Sequence, residues 1–259
     1  MSAPMNTPPV QIGFPRFFTC AGRLVNSYKI FLCVGICVGT LTTAAMADAT
    51  GLSPLRIGLA AMVSGLAGLI GARMYHLLVH AAVYVKSGPP RALWDTTAGG
   101  LSVFGGLLTF VPVSLAAAAL VHIPAVMLWD LLGIGVLAGG FWIRLGCVFN
   151  GCCAGRETHA RLGVRLHDTR LVIKRRIPVQ LLEMAWWILG LAAFLTVWPL
   201  KLPPGSYALA VLAWYGLGRF FLEPLRERPV VVCGRVRINQ VVAALISLAA
   251  GTALVFLGR

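Results

Sequence analysis

The sequence predicts an all-α integral membrane protein, a bundle of about seven transmembrane helices with a small extramembrane head after the fourth. Its composition is 58% hydrophobic and only 12% charged, with a mean hydropathy of +0.84. Soluble domains carry roughly twice that share of charge, ~25%. The apolar runs are continuous rather than alternating, which favours helices over a membrane β-barrel. We expect residues 1–259 to form a single polytopic membrane domain.

The elements follow from the apolar runs, because about 20 apolar residues in a helix cross a hydrocarbon core of roughly 30 Å. A helix also satisfies its own backbone groups in lipid. The predicted spans are residues 29–47, 56–85, 99–121, 126–148, 178–198, 206–224 and 238–258. Most connections between them are short. The longer basic segment 150–177 is the predicted head.

The formal net charge of +14 raises the question of which polyanion the protein meets. No basic soluble domain is present to bind nucleic acid, so nucleic acid is excluded as a partner. Anionic phospholipid is the expected partner instead. The seven cysteines lack the paired spacing of a disulfide scaffold.

Lysine and arginine in short loops predict which side of the membrane each loop occupies. Most basic residues outside the spans fall on the side of the N-terminus and the head, whereas Arg56, Lys201 and Arg259 fall on the other side. By this rule the N-terminus and the head face the cytoplasm.

Ionisable residues inside predicted spans are costly, ~2.5 kcal/mol or more each, and therefore indicate function. Arg73, Arg144, Arg219 and Glu223 stand in or at the ends of spans. Arg219 and Glu223 are four residues apart, so they share a helix face and can form an ion pair. The alternative is that these arginines only extend to the membrane interface.

Arg144 precedes a glycine-rich exit that ends at Gly155 and Arg156. Guanidinium groups beside free backbone amides are suited to a lipid phosphate. The same turn contains Cys152 and Cys153. They are either inert small residues, reactive thiols activated by nearby arginines, or metal ligands together with Cys147 and with His159 or His167.

Residues 144–156 read RLGCVFNGCCAGR and resemble the signature of the prolipoprotein diacylglyceryl transferase family. Further stretches are similar to family motifs and occur in family order: Ser27-Tyr28, Gly71 to Arg73, Gly99 to Ser102 with Gly105-Gly106, Pro178 to Glu183, Tyr215 to Glu223, and Gln240. The resemblance therefore covers nearly the whole chain.

The resemblance implies a transferase of the bacterial plasma membrane that uses no metal or organic cofactor. It would move the diacylglyceryl group of phosphatidylglycerol to the cysteine thiol of a prolipoprotein. Arg144 and Arg219 would clamp the donor phosphate, and Glu223 would orient Arg219. The implied substrate-binding residues are Tyr28, Arg73, Gly99, Gly100, Ser102, Asn150, Gly155, Arg156, Gln180 and Glu183.

The chain also departs from the family pattern on the acceptor side. Phe104 and Ile177 stand where the family has histidines, and Cys147 and Cys152 replace an asparagine and a glutamate. Two other functions therefore stay open: transfer from the same donor to a different acceptor, or of a different fragment, and lipid binding without catalysis. The resemblance also implies that the N-terminus and the head lie outside the cytoplasm, opposite to the charge bias.

Overall fold

The computed structural model describes residues 14–20, 22–81, 100–160, 163–227, 231–232 and 236–258. In these ranges seven α-helices follow one another: α1 Ser27–Ala49, α2 Pro54–Val79, α3 Val103–Leu120, α4 Ala125–Asn150, α5 Val179–Val197, α6 Ser206–Leu222 and α7 Ile238–Leu257. Six strands pair as antiparallel hairpins: β1 Phe17–Cys20 with β2 Arg23–Asn26, β3 Val164–His167 with β4 Ile173–Arg176, and β5 Val231–Val232 with β6 Val236–Arg237.

The predicted helical membrane bundle is confirmed. All the described helices except α3 are long and apolar enough to cross a membrane, and α3 adds a shorter apolar helix. α2 ends at Val79 rather than at residue 85, and α3 begins at Val103 rather than at residue 99. The two predicted ends, residues 85 and 99, fall within residues 82–99, which lie outside the described ranges.

Glycine contacts set the spacing of the central helices. Gly35 and Gly39 of α1 face Gly139 and Gly135 of α4, and a Cβ at Gly35 or Gly39 would lie 2.8 or 2.7 Å from the facing carbonyl oxygen. Small residues four apart let two helix backbones approach closely where lipid provides no hydrophobic driving force. This glycine contact was not predicted from the sequence. The contact fixes α4, which carries Arg144, against α1.

Asp130, in the second turn of α4, joins this helix to the start of α6. Its side chain is buried, and its carboxylate accepts hydrogen bonds from the backbone N–H groups of Gly205, at 2.6 Å, and Ala208, at 2.7 Å. A negative charge is favourable at a helix N-terminus. Asp130 therefore positions the helix that carries Arg219.

The three hairpins lie at the same end of the bundle. Arg16, just before β1, donates to the Asn150 side chain at the end of α4 and to the Thr169 carbonyl between β3 and β4. The Phe149 ring packs between Phe14 and Phe31, with ring centroids 4.5 and 4.8 Å away. These hairpins were not predicted, because each strand is too short to show a period of two.

The segment between α4 and α5 folds around one buried arginine. Arg176 is 1% exposed, and its guanidinium contacts Asp168 at 3.2 Å and Glu227 at 2.7 Å. Glu227 follows α6, so this arginine links the β3–β4 hairpin to the α6–α7 connection. Arg176 therefore stabilises the fold of the basic segment through these ion pairs.

Candidate functional site

The centre of the candidate site is the Glu183 carboxylate on the first turns of α5. It is 5% exposed and contacts three guanidinium groups. Arg144 Nε lies 3.3 Å from one carboxylate oxygen, while the other is 3.5 Å from Arg219 Nη1 and also accepts from Arg226. Glu183 therefore joins residues from α4, α6 and the segment after α6.

A second carboxylate, that of Glu223 at the end of α6, contacts two of these arginines, Arg219 and Arg226. Its Oε2 lies 3.3 Å from Arg219 Nη2 and 3.4 Å from Arg226 Nε, which confirms the ion pair expected from the four-residue spacing. Its other oxygen accepts a hydrogen bond from the Asn239 amide at 2.8 Å. Glu223 is 1% exposed, so its carboxylate is held by these partners rather than by water.

The charges of this cluster do not cancel. Arg144, Arg219 and Arg226 face the two carboxylates Glu183 and Glu223, which leaves one formal positive charge. The side chains of Arg144 and Arg219 are 18% and 20% exposed, whereas Arg226 is 10% exposed. Arg144 and Arg219 are therefore the two arginines best able to reach a ligand. An excess charge at membrane depth is stabilised by a bound anion.

An apolar cavity of about 280 Å³ ends at Arg144. Its walls come from α1, α2, α3, α4 and α5, and they include Gly39, Gly65, Phe110 and Trp187. Arg144 also lines a small crevice between α5 and α6 together with Arg219, Glu183 and Tyr215. The guanidinium thus lies where an apolar space meets the charged cluster.

Two tryptophans join α5 to α6 beside this crevice. The rings of Trp186 and Trp214 stack with centroids 4.2 Å apart. Each indole N–H donates to the backbone carbonyl of the other residue, at 3.0 and 3.1 Å. Gly218 and Gly190 provide the space, since a Cβ at either glycine would lie 2.3 or 2.4 Å from an indole nitrogen. This pair fixes the distance between Glu183 and Arg219.

Arg73 belongs to a second group, at the end of α2. It is 5% exposed, and its Nη1 donates to the Gly100 carbonyl at 3.1 Å. Gly100 has a φ of +104°, and the Ser102 N–H donates to the Ala72 carbonyl at 3.0 Å. These contacts bring together Arg73, Gly100 and Ser102. Gly99, the fourth residue expected here, lies outside the described residues.

The turn after α4 positions several of the expected residues through structural contacts. The Asn150 side chain accepts from Asn26 at 3.0 Å, and Gly155 is crowded, since a Cβ would lie 2.1 Å from the Ile177 carbonyl oxygen. The Arg156 side chain is exposed, while its N–H donates to the Leu225 carbonyl. The free amide expected beside Arg144 is therefore engaged there, and Arg226 provides the additional guanidinium.

Tyr28 and Gln180 border the cysteines of that turn. The Tyr28 ring packs beside Gly146 of α4, where an added Cβ would lie 3.5 Å from it. The Gln180 amide donates to the Cys152 carbonyl at 2.9 Å. Gln180 is 1% exposed, so both residues form part of the wall between α1, α5 and the turn.

The cysteines converge, but the proposed histidine ligands do not join them. The Sγ atoms of Cys147, Cys152 and Cys153 lie within 4.8 Å of one another, and no histidine of the described residues belongs to that cluster. His159 is exposed, and His167 is buried with its Nδ1 3.2 Å from the Asp168 carbonyl oxygen. The metal-ligand set considered from the sequence, three cysteines with one histidine, is therefore wrong in its histidine.

Two residues of the charged cluster were missed in the sequence. Arg226 was counted as a loop charge, and Asn239 was not considered. A signal for Arg226 was available, because it lies three residues after Glu223 and a helical turn brings such residues together. No local pattern identifies Asn239, whose contact depends on how α7 packs against α6.

Comparisons with known proteins agree with the motifs. A family model described as prolipoprotein diacylglyceryl transferase matches residues 15–257. The phosphatidylglycerol–prolipoprotein diacylglyceryl transferase of Tropheryma whipplei (strain Twist) is 32% identical over 174 residues, which span 61% of this chain and 61% of the relative's length. Proteins of the same name from Staphylococcus haemolyticus and Streptococcus pyogenes serotype M3 are 23% and 25% identical. Each of these two matches covers 90% of this chain, and 84% and 90% of the relative respectively.

Proposed function

The chain belongs to the prolipoprotein diacylglyceryl transferase family, and we propose that it moves the diacylglyceryl group of phosphatidylglycerol to the cysteine thiol of a prolipoprotein. The bacterial plasma membrane would be the site of this reaction. Two relatives with sequence identities of 23% and 25% over most of the chain support the reaction class. The donor and the acceptor are part of the proposal.

The single positive charge left in the arginine cluster carries this proposal. The phosphodiester of phosphatidylglycerol has one negative charge, which would neutralise the cluster formed by Arg144, Arg219, Arg226 and their two carboxylates. A guanidinium binds phosphate oxygens through paired hydrogen bonds. Because the cluster is mostly screened from water, these bonds are strong.

The reaction breaks the bond between the glycerol carbon of the diacylglyceryl group and the phosphate oxygen. The acceptor sulfur attacks that carbon, a C–S bond forms, and the electron pair of the C–O bond stays on the phosphate as glycerol phosphate leaves. Arg144 and Arg219 stabilise the charge that develops on this oxygen. The thiol proton must leave before or during the attack, because the thiolate is the nucleophile.

The remaining substrate-binding residues would shape the donor pocket around this clamp. The cavity that ends at Arg144 would accept part of an acyl chain, and Trp187 and Phe110 provide apolar walls. Glu183 and Glu223 orient the arginines. Tyr28 and Gln180 would hold the headgroup side of the pocket, beside the turn after α4.

Phe104 supports a second candidate, which is transfer from the same donor to a different acceptor. Its side chain is 61% exposed, at the position where family members are expected to have a histidine. A phenyl ring cannot accept the proton of an incoming thiol. A glycan or another lipid would then replace the prolipoprotein.

Complementation tests the choice of acceptor. The gene would be expressed in a bacterium depleted of its own prolipoprotein diacylglyceryl transferase, and lipoproteins would be analysed by mass spectrometry. Rescue with the mass increase of one diacylglyceryl group supports the prolipoprotein acceptor. Good expression without any modified lipoprotein contradicts it and favours the second candidate.

A further inference from the structure

Three thiols meet at the end of α4, beside the arginine cluster. The Sγ atoms of Cys147, Cys152 and Cys153 lie within 4.8 Å of one another, and all three cysteines are free. Cys147 is buried, whereas Cys152 and Cys153 are half-buried. Three soft ligands in such a small volume are a potential site for a thiophilic metal ion.

The backbone turns sharply to bring these thiols together. α4 ends at Asn150 and is capped by Gly151 with a φ of +70°, and Cys153 has a φ of +58°. A residue with a side chain is strained in this left-handed region, and such strain is concentrated at functional sites. The Gln180 amide holds the Cys152 carbonyl between these two positions. The arrangement is therefore fixed by the fold and not only by proximity along the chain.

The spacing fits zinc. With Zn–S bonds of ~2.3 Å, three sulfurs around one ion lie ~3.8–4.0 Å apart. The sulfurs lie within 4.8 Å of one another, slightly wider than this, and a bound ion would draw them together. Among the described residues no fourth histidine, cysteine or carboxylate ligand joins the three. Three protein ligands and one open position are typical of a catalytic zinc site rather than of a structural one.

Arg144 links the cysteine cluster to the arginine cluster. Its Nη1 lies 3.9 Å from the sulfurs of both Cys147 and Cys153. The same guanidinium is the proposed ligand of the donor phosphate. An acceptor bound to the metal would therefore lie next to the bound donor.

We propose that Cys147, Cys152 and Cys153 bind a zinc ion whose open coordination position takes the acceptor cysteine as a thiolate. The identity of that acceptor rests on the proposed function. Coordination releases the thiol proton to water, because a thiol bound to such a cation is deprotonated. The sulfur then forms the C–S bond, and the electron pair of the broken C–O bond leaves on glycerol phosphate.

The metal would take over the role of the histidine that the family resemblance implies at position 104, where this chain has Phe104. It departs from the expectation that no metal is used. In place of a base that accepts the proton, the metal would lower the pKa of the acceptor thiol itself. The two changes in the sequence, loss of the expected histidine and gain of the cysteines, thereby compensate each other.

X-ray absorption spectroscopy of the purified full-length protein loaded with Zn²⁺ tests the site. We expect one zinc per chain with three sulfur neighbours, and four sulfur neighbours after addition of a synthetic acceptor peptide with one cysteine, in the absence of phosphatidylglycerol. Cys152→Ala and Cys153→Ala should each lower zinc affinity at least tenfold. The matched control is Cys33→Ala with Cys37→Ala, which removes two exposed thiols of α1 and should leave zinc binding unchanged.

Substoichiometric zinc, a disulfide between two of the three cysteines, or equal affinity in Cys153→Ala overturns the site. An unchanged sulfur number after addition of the peptide overturns the role in binding the thiol. No phospholipid is present in this measurement, so a negative result concerns the zinc site alone. Diacylglyceryl transfer is measured separately, by the release of glycerol phosphate.

Discussion

Glu183 Oε2 lies 3.3 Å from Arg144 Nε, so a carboxylate from α5 positions the guanidinium that ends the apolar cavity. The other oxygen of Glu183 contacts Arg219 and Arg226. One buried carboxylate thus holds three arginines whose mutual repulsion would otherwise separate them. The relative position of the two proposed phosphate ligands depends on this residue.

Glu183→Gln keeps the shape of this side chain and removes its charge. We expect transfer activity to fall about 100-fold or more, because the arginines lose their common partner and the cluster gains a further positive charge. The measurement is glycerol phosphate release from phosphatidylglycerol by purified protein. Glu157→Gln is the matched control, since Glu157 pairs with Lys174 on the surface. Equal rates for Glu183→Gln and the wild type would refute the role of Glu183.

Asp130→Ala removes the carboxylate at the start of α6. Two N–H groups, those of the buried Gly205 and the half-buried Ala208, lose their acceptor, and the free energy of unfolding should fall by about 2 kcal/mol. Unfolding by sodium dodecyl sulfate, followed by tryptophan fluorescence, measures this change. Asp48→Ala, at an exposed position near the end of α1, should have little effect. A similar loss in both variants would contradict the assignment.

Gly139→Ala tests the close contact between α1 and α4. The added methyl group would lie 2.4 Å from the Gly35 carbonyl oxygen, and backbone on both sides prevents relaxation. We expect a loss of about 1–3 kcal/mol, measured by the same unfolding assay. Gly251→Ala in α7 has nothing within 4 Å of the new methyl group and should be neutral. Unchanged stability of Gly139→Ala would show that the helices are not in this contact.

The head should loosen in acid. Partial burial works to raise the pKa of Asp168, but hydrogen bonds from the Val172 and Arg170 N–H groups outweigh it and hold this pKa below its usual value. Asp168 therefore stabilises the head fully above the usual pKa of ~3.9, and this contribution is lost as the pH falls through the lowered pKa. The protection factors of residues 164–176 in hydrogen–deuterium exchange should fall in that window.

Asp168→Asn is the variant for this comparison, because it removes the titrating group. Its head should exchange faster than that of the wild type at neutral pH, and the difference should narrow as the pH falls through the acid window. An equally large difference at neutral and at acid pH would show that titration of Asp168 does not control the packing of the head.

The N-terminus should lie outside the cytoplasm. Arg226 and Arg176 are engaged in buried ion pairs, so part of the basic charge serves the structure and is a poor indicator of orientation. A membrane-impermeant maleimide added to intact spheroplasts should therefore label the wild type more than Cys20→Ala, since Cys20 is exposed in β1. Equal labelling of the two proteins in intact spheroplasts, with a difference only after lysis, would support the charge bias instead.

The helices could be predicted from the sequence because most of the apolar runs have about 20 residues, the length of a helix that crosses a bilayer. The same reasoning placed Arg144, Arg219 and Glu223 at depth, where charge is costly, and the pair of Arg219 with Glu223 followed from helical spacing. The partners of Glu183 could not be predicted, since they come from α4, α6 and the segment after α6 and depend on packing. Asp130 was missed for the same reason, as its contacts are with backbone N–H groups of α6.

The cysteine cluster shows a different limit of sequence reasoning. Cys152 and Cys153 are adjacent, and adjacent side chains usually point in different directions. Their convergence with Cys147 requires the left-handed conformations of Gly151 and Cys153. Glycine at the first position is a recognisable signal for a helix end. A cysteine in that conformation is not.

The most direct test of the proposed transfer is incubation of the purified protein with phosphatidylglycerol labelled in its terminal glycerol and with a prolipoprotein acceptor peptide. We predict that labelled glycerol phosphate and diacylglyceryl-modified peptide appear in equal amounts, and that Arg144→Ala lowers both by about 100-fold or more. Intact phosphatidylglycerol after prolonged incubation, or release of free labelled glycerol in place of glycerol phosphate, would contradict the proposed reaction.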